Sequence, residues 1–319
     1  MSVAGDATGT ADAADALAEA LTRAGVPVRR DAPIGRWTWY RAGGSAAVLA
    51  EPADTGQLAA TLLRCDTTGV PRRVLGGGAN LLVREGVLPG VTLRLNAPAF
   101  RAVEHDADRG VLRVGGGADL FTLLNTAARR GLAGLEHLAG VPGTTGGAVV
   151  MNAGGRHGDT AQAVRGVTLV TDDGSIHEVG AEALDFGYRR CGWRDRPGLP
   201  LPAVASVDLA VTPDDPDAVQ ARLRAWTAEK RATQPMAERS AGCCFRNPGG
   251  DAEPAGKLID AAGLKGFRLG TAEVSPLHAN FVTLDPGGRT DDVAALLDHV
   301  AAEVHRVHGV TLRRELVIW

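Results

Sequence analysis

Two glycine-dense segments constrain this chain more than anything else in it. The first is VLGGGANLLV, residues 74–83, and the second is GLEHLAGVPGTTGGAVVMNAGG, residues 134–155. A dinucleotide fingerprint of the GxGxxG kind opens a helix and carries an acidic residue about 20 positions later. Neither segment meets that test. After Asn80 the apolar residues Leu81 to Val83 continue as an extended run, and Gly140 to Gly147 lack a clean strand-to-helix frame. Glycines do let consecutive backbone N–H groups approach an anion as a nest. Two such loops in a mixed α and β region suit a large dinucleotide whose pyrophosphate is gripped by amides rather than by arginines. With 42 glycines in 319 residues, either loop alone also reads as ordinary turns.

The surrounding pattern is α+β. An Ala-rich helix spans 11–24 and stops before Gly25. Extended runs appear at VTLRLN (91–96) and VLRVGGG (111–117), after which Asp119 caps a helix that ends at Gly131. VRGVTLVTDDGSIHEV (164–179) reads as two strands joined at Asp173-Gly174, and VASVDLAVT (204–212) as another strand. Composition shifts at TPDDPDAVQARLRAWTAEKRATQP (212–235), where Asp-Pro punctuation gives way to a charged helix closed by Pro235. That shift places a domain boundary near residue 213. Beyond it come a helix at 255–263, strands around 272–284, and a last helix opened by Thr290, Asp291 and Asp292. In that helix Val293, Leu296, Leu297, Val300, Val304 and Val307 keep helical spacing, and a terminal strand follows over 310–319.

Net charge is −3, with 45% hydrophobic and 22% charged residues, which fits a globular domain and argues against a nucleic-acid binder. The N-terminal stretch lacks a basic region followed by a continuous apolar core, and no apolar run reaches the roughly 18 residues of a membrane span. The expectation is a cytoplasmic protein with no membrane attachment. Four cysteines, Cys65, Cys191, Cys243 and Cys244, make no disulfide framework, and without CxxC or HExxH no metal is expected. Half of them stand side by side in SAGCCFRNP (240–248). Neighbouring Cβ vectors normally diverge, so the pair is poorly placed to bridge. Two readings stay open: small buried hydrophobes, or a reactive thiol presented by a loop.

The residues resemble those of the UDP-N-acetylenolpyruvoylglucosamine reductase family. The resemblance runs in order through TWYRAGG (38–44), VLGGGANLLV, the long glycine segment, FGYR (186–189), SAGCCFRNP, AGKLIDAAGLKG (255–266), VSPLHANF (274–281) and LRRELVIW (312–319). It implies an α+β fold: a lead-in over 1–30, then an FAD-binding domain of the p-cresol methylhydroxylase type, in two subdomains, over 31–213. A smaller α+β substrate-binding domain would follow over 214–319. It also implies non-covalent FAD, NADPH as co-substrate, a UDP-sugar as substrate, a monomer, and a place in peptidoglycan biosynthesis. In such enzymes a hydride passes from NADPH through flavin N5 to the vinyl carbon of an enolpyruvyl ether, and the carbanion beside the carboxylate is then protonated.

Position by position, the resemblance makes Cys243 the proton donor, where serine is usual, and Arg189 and Glu315 its catalytic partners. Arg189, with Tyr188, Gln234, Asn247 and His278, would bind substrate. Arg41, Gly76, Gly77, Gly78, Asn80, Leu81, Gly140, Val141, Gly143, Thr144, Gly147 and Asn152 would line the flavin. The chain departs from the family pattern at Arg156-His157, where Ala-Tyr is usual, and at Cys191, where serine is common. The segment between Arg189 and SAGCC is short, which places the chain in the branch without a substrate-loop insertion. Two rival readings are another FAD-dependent oxidoreductase of the same superfamily and a flavin-binding homologue without activity. The first calls for a longer region than the 106 residues after 213, and the second for loss of Arg189 and Glu315.

Overall fold

A computed structural model describes residues 7–199, 201–250 and 252–319, and the side chains from residue 12 onward; residues 1–6 of the expected lead-in lie outside it. Packing divides the chain into two compact units that alternate along the sequence. One takes in the chain up to Ala32, Ala46–Gly77 and Pro89–Ala228, and the other Pro33–Ser45, Gly78–Leu88 and Glu229–Trp319.

The first unit is built on two larger sheets. A four-stranded sheet runs in the order Val28–Ala32, Ser45–Ala50, Val87–Arg94, Arg72–Leu75. It shares a core with helices α1 (Ala7–Arg23) and α2 (Thr55–Thr68), in which Leu21, Leu58, Leu62, Val48 and Leu93 are fully buried. Asp54 caps α2 by accepting from Gln57 N–H at 2.8 Å, and Gly69 ends it at φ +64°. The second sheet has five strands in the order Ile176–Gly180, Val164–Val170, Ala203–Ala210, Val111–Gly115, Val103–Asp106, antiparallel throughout. Its first two strands form the expected hairpin, with Val170 opposite Ile176 and Gly174 at φ +78° in the turn.

Helix α3 (Leu120–Arg129) packs into the core of that sheet, and Asp119 caps it through Thr122 N–H at 2.8 Å. The long glycine segment contains a helix that periodicity does not reveal, α4 (Thr145–Val150), capped by Thr144. At six residues and with two glycines it is too short to show a period. Helix α5 (Pro216–Thr233) is the expected charged helix and buries only Val219 and Leu223.

The second unit is built on a three-stranded antiparallel sheet, Arg268–Leu269, Ala272–Val274 and Val282–Leu284. Helices α6 (Ala255–Ala261) and α7 (Thr290–His308) share its core. The apolar stripe of α7 is buried at Val293, Leu296, Leu297, Val300 and Val304, each contributing about 1.5–3 kcal/mol. Val307 keeps the spacing but is 44% exposed in the final turn. The first N–H of α7 donates to Glu85 Oε1 at 3.2 Å and Thr290 Oγ1 donates to the same oxygen at 3.1 Å, so a carboxylate from Gly78–Leu88 supplies the cap. The terminal strand is much shorter than expected. Only Val317–Ile318 pairs, in parallel, with Leu81–Leu82. Residues Arg313 to Leu316 spend their backbone groups on the cysteine segment instead.

Candidate active site

In the second unit, residues 243–246 lie between two neighbours. On one side Cys244 N–H donates to Asn280 O at 2.8 Å. On the other, Glu315 N–H donates to Cys244 O at 2.8 Å and Arg246 N–H donates to Arg313 O at 2.9 Å. The two thiols part company there. Cys244 is fully buried beside Tyr40, whose hydroxyl donates to Val282 O at 3.1 Å. Burial pushes the Cys244 thiol up to about 12 and holds Tyr40 well above its ordinary range. Cys243 is half-buried and the only one of the four cysteines that is not buried. Cys244 is thus the small buried hydrophobe of the pair, and Cys243 is not. Glu315 joins this group through its backbone, and its Oε2 is buried.

Near the same segment, His278 Nδ1 accepts from Asn280 N–H at 3.2 Å, which leaves its proton on Nε2. Burial lowers its pKa, and its ring meets Phe281 edge-on at 4.8 Å. Asn247 Oδ1 accepts from Ala255 N–H at 3.0 Å and so starts α6, while Gln234 closes α5. Asn80 Nδ2 donates to Glu315 O at 3.1 Å, and Leu81 is in the pairing with Val317.

Arg189 sits in the first unit, at the tip of a two-residue hairpin between Leu184–Gly187 and Arg190–Trp193. Its φ is +55°, its Nη2 donates to Gly154 O at 3.3 Å, and its guanidinium lies over the Tyr188 ring at 5.1 Å. Non-glycine residues in this left-handed region cost of order 1–3 kcal/mol and collect at functional sites. Four occur among the described residues: Asp31, Arg41 (+53°), Asn152 (+40°) and Arg189. Three of the four were singled out by sequence. Asn152 is buried, and its amide is used within the protein: Nδ2 donates to Asp159 Oδ2 and to Gly187 O, each at 3.1 Å, while Oδ1 accepts from Ala161 N–H at 3.0 Å. It therefore ties the Arg189 hairpin to the glycine segment.

The two glycine loops of the first unit run backbone against backbone. A Cβ on Gly77 would lie 2.6 Å from Gly143 Cα, and one on Gly76 would lie 2.8 Å from Thr144 Oγ1. Gly140 and Gly143 take φ +66° and +109°. Side chains are excluded where the loops meet, so backbone amides are the lining these loops can offer, a lining suited to a dinucleotide pyrophosphate such as that of FAD. The N-terminus of α4 is less open than its glycines imply. Thr145 and Gly146 N–H already donate to Ala118 O and Gly116 O, and Gly147 N–H to Thr144 Oγ1.

Residues 46–180 match the model of an FAD binding domain, and 234–319 match that of the UDP-N-acetylenolpyruvoylglucosamine reductase C-terminal domain. UDP-N-acetylenolpyruvoylglucosamine reductase 2 of Symbiobacterium thermophilum is 39% identical over 292 residues, 92% of each chain. The chain belongs to this family. A reductase of Anaeromyxobacter sp. (strain Fw109-5) is 41% identical over 315 residues, 98% of this chain and 95% of that one. The crystal structure of the Thermus caldophilus reductase superposes with a TM-score of 0.76 at 35% identity, covering 92% of this chain and 99% of that one.

Within the reductase family frame, the residues that depart from the usual pattern gain a place. Arg156 and His157 form the tip of the hairpin Gly154–Gly155 and Gly158–Asp159, and His157 stacks on Trp226 of α5 at 4.6 Å with rings 5° apart. Cys191 is buried and packs into the core of the five-stranded sheet. Sequence reasoning missed Asn280, whose side chain holds the cysteine segment. A polar residue between apolar neighbours in HANFV was its only signal.

Proposed function

We propose that this chain reduces UDP-N-acetylglucosamine enolpyruvate to UDP-N-acetylmuramate, using non-covalently held FAD and NADPH as electron donor, as a cytoplasmic monomer. The observation that carries the reading is the half-buried Cys243 thiol at the family's proton-donor position, with the backbone of Glu315 bonded to the next residue. The domain division at about 213 is part of the proposal, and the two family matches fall on either side of it.

When bound, FAD supplies the hydride it has taken from NADPH to the terminal vinyl carbon of the substrate. The protein does the rest. Arg41, Gly76, Gly77, Gly78, Asn80, Leu81, Gly140, Val141, Gly143, Thr144, Gly147 and Asn152 would hold the cofactor. Arg189 would neutralise the substrate carboxylate, on which negative charge grows, with a planar fork that stays charged. Tyr188, 52% exposed beside it, would bind the sugar nucleotide together with Gln234, Asn247 and His278. Cys243 would give its proton to the carbanion carbon, and a thiol, at about 8.5 in its reference state, gives up a proton more readily than an aliphatic hydroxyl. The resulting thiolate would regain a proton before the next cycle. Glu315 would polarise the site from the neighbouring segment.

Mixing the flavin-loaded protein with NADPH and the enolpyruvyl ether tests this. NADPH oxidation should depend on the ether, and the product should gain two mass units of hydrogen. NADPH oxidation that ignores the ether and consumes oxygen instead would point to an oxidase.

A further inference from the structure

Asn280 belongs to none of the roles above, yet it holds the cysteine segment with both its side chain and its backbone. It is 3% exposed. Its Nδ2 donates to Phe245 O at 2.7 Å, Phe245 N–H donates back to Oδ1 at 2.9 Å, and Cys244 N–H donates to Asn280 O at 2.8 Å. A carboxamide offers a donor and an acceptor in one plane, so here it plays the part of a neighbouring strand's peptide. Opposite, Glu315 and Leu316 N–H donate to Cys244 O at 2.8 and 3.3 Å. The segment is thus gripped from two sides. Cys244 faces the core, Cys243 does not, and a slip of one residue would exchange them.

We infer that Asn280 is a positioning residue that fixes which of the two adjacent thiols is presented to substrate and keeps Glu315 beside it. This rests on the reading of Cys243 as proton donor. His278 in turn holds Asn280, by accepting its N–H and by accepting Phe281 N–H on its carbonyl at 2.9 Å.

The test uses flavin-loaded, full-length Asn280→Asp and Asn280→Ser beside the wild type. Aspartate keeps the acceptor for Phe245 N–H but sets a carboxylate against Phe245 O, unless it is protonated and donates. Serine, one atom shorter, reaches neither Phe245 group. Stopped-flow separates flavin reduction by NADPH from reoxidation by the enolpyruvyl ether. Iodoacetamide labelling, read by peptide mass spectrometry, reports the two thiols without any substrate. Flavin reduction should keep its wild-type rate in both variants, while reoxidation by the ether slows roughly tenfold to a hundredfold, the scale of an ångström-sized misplacement. In the aspartate variant alone the loss should shrink as pH falls and the carboxyl becomes neutral. Cys244 should become labelled alongside Cys243 in both. The inference is overturned if Cys244 stays protected, or if both half-reactions slow together with no pH relief. If the wild type itself does not reduce the ether, the reductase reading falls, and the labelling pattern still decides the role of Asn280.

Discussion

Cys243 and Cys244 share a peptide bond and almost nothing else. One is half-buried at a proposed catalytic position, while the other lies in a core with Tyr40 and Phe245. Sequence raised the contrast but could not assign it, since neither residue type nor spacing says which neighbour faces inward. That choice is made by backbone bonds to Asn280 and Glu315, which are distant in sequence. Burial pushes Cys65 up to about 11 and Cys191 and Cys244 up to about 12. A raised thiol pKa means less thiolate at a given pH, so at pH 8 these three should be almost wholly protonated and shielded. A disulfide reagent at pH 8 should therefore titrate one thiol in the native protein, Cys243, and four after denaturation. A second fast thiol would mean that one of the three is not buried in solution.

At the scale of elements, the absence of a Rossmann frame around the first glycine loop was legible in the sequence, and the structure gives the reason. The first loop leads from one extended segment, Arg72–Leu75, into another, Leu81–Leu82, with no helix after it. What sequence could not show is how closely the loops approach. Gly77 would bring a Cβ to 2.6 Å from the backbone of Gly143, whereas Gly76 would meet a single side-chain atom, the hydroxyl of Thr144. Gly77→Ala should then cost about 1–3 kcal/mol of stability and most of the bound flavin, and Gly76→Ala less of both. The absorbance ratio of flavin to protein after purification, with melting temperatures, measures the order. Full flavin occupancy in Gly77→Ala would contradict the backbone cradle. The hairpin tip Arg156-His157 looked anomalous in sequence because its partner, Trp226, lies in a helix about 70 positions on, and the flat stack between them is a tertiary fact.

For the whole molecule, chain order and packing tell different parts of the story. Composition marks a shift near 213, whereas packing keeps the chain through Ala228 in the first unit and puts Pro33–Ser45 and Gly78–Leu88 with the C-terminal segment. Short stretches such as these carry no compositional mark of the core they will join. Leu82 gives its side chain to that core, and Leu81 and Leu82 pair with the last residues of the chain. The most exposed commitment of the reductase reading is Cys243 as proton donor. The measurement that tests it most directly is single-turnover stopped-flow on NADPH-reduced wild type, Cys243→Ser and Cys243→Ala, each mixed anaerobically with the enolpyruvyl ether. Wild type and the serine variant should reoxidise and form product, with the alanine variant slower by about 10²–10⁴-fold at an unchanged rate of flavin reduction. An alanine variant that turns over at the wild-type rate would contradict the account.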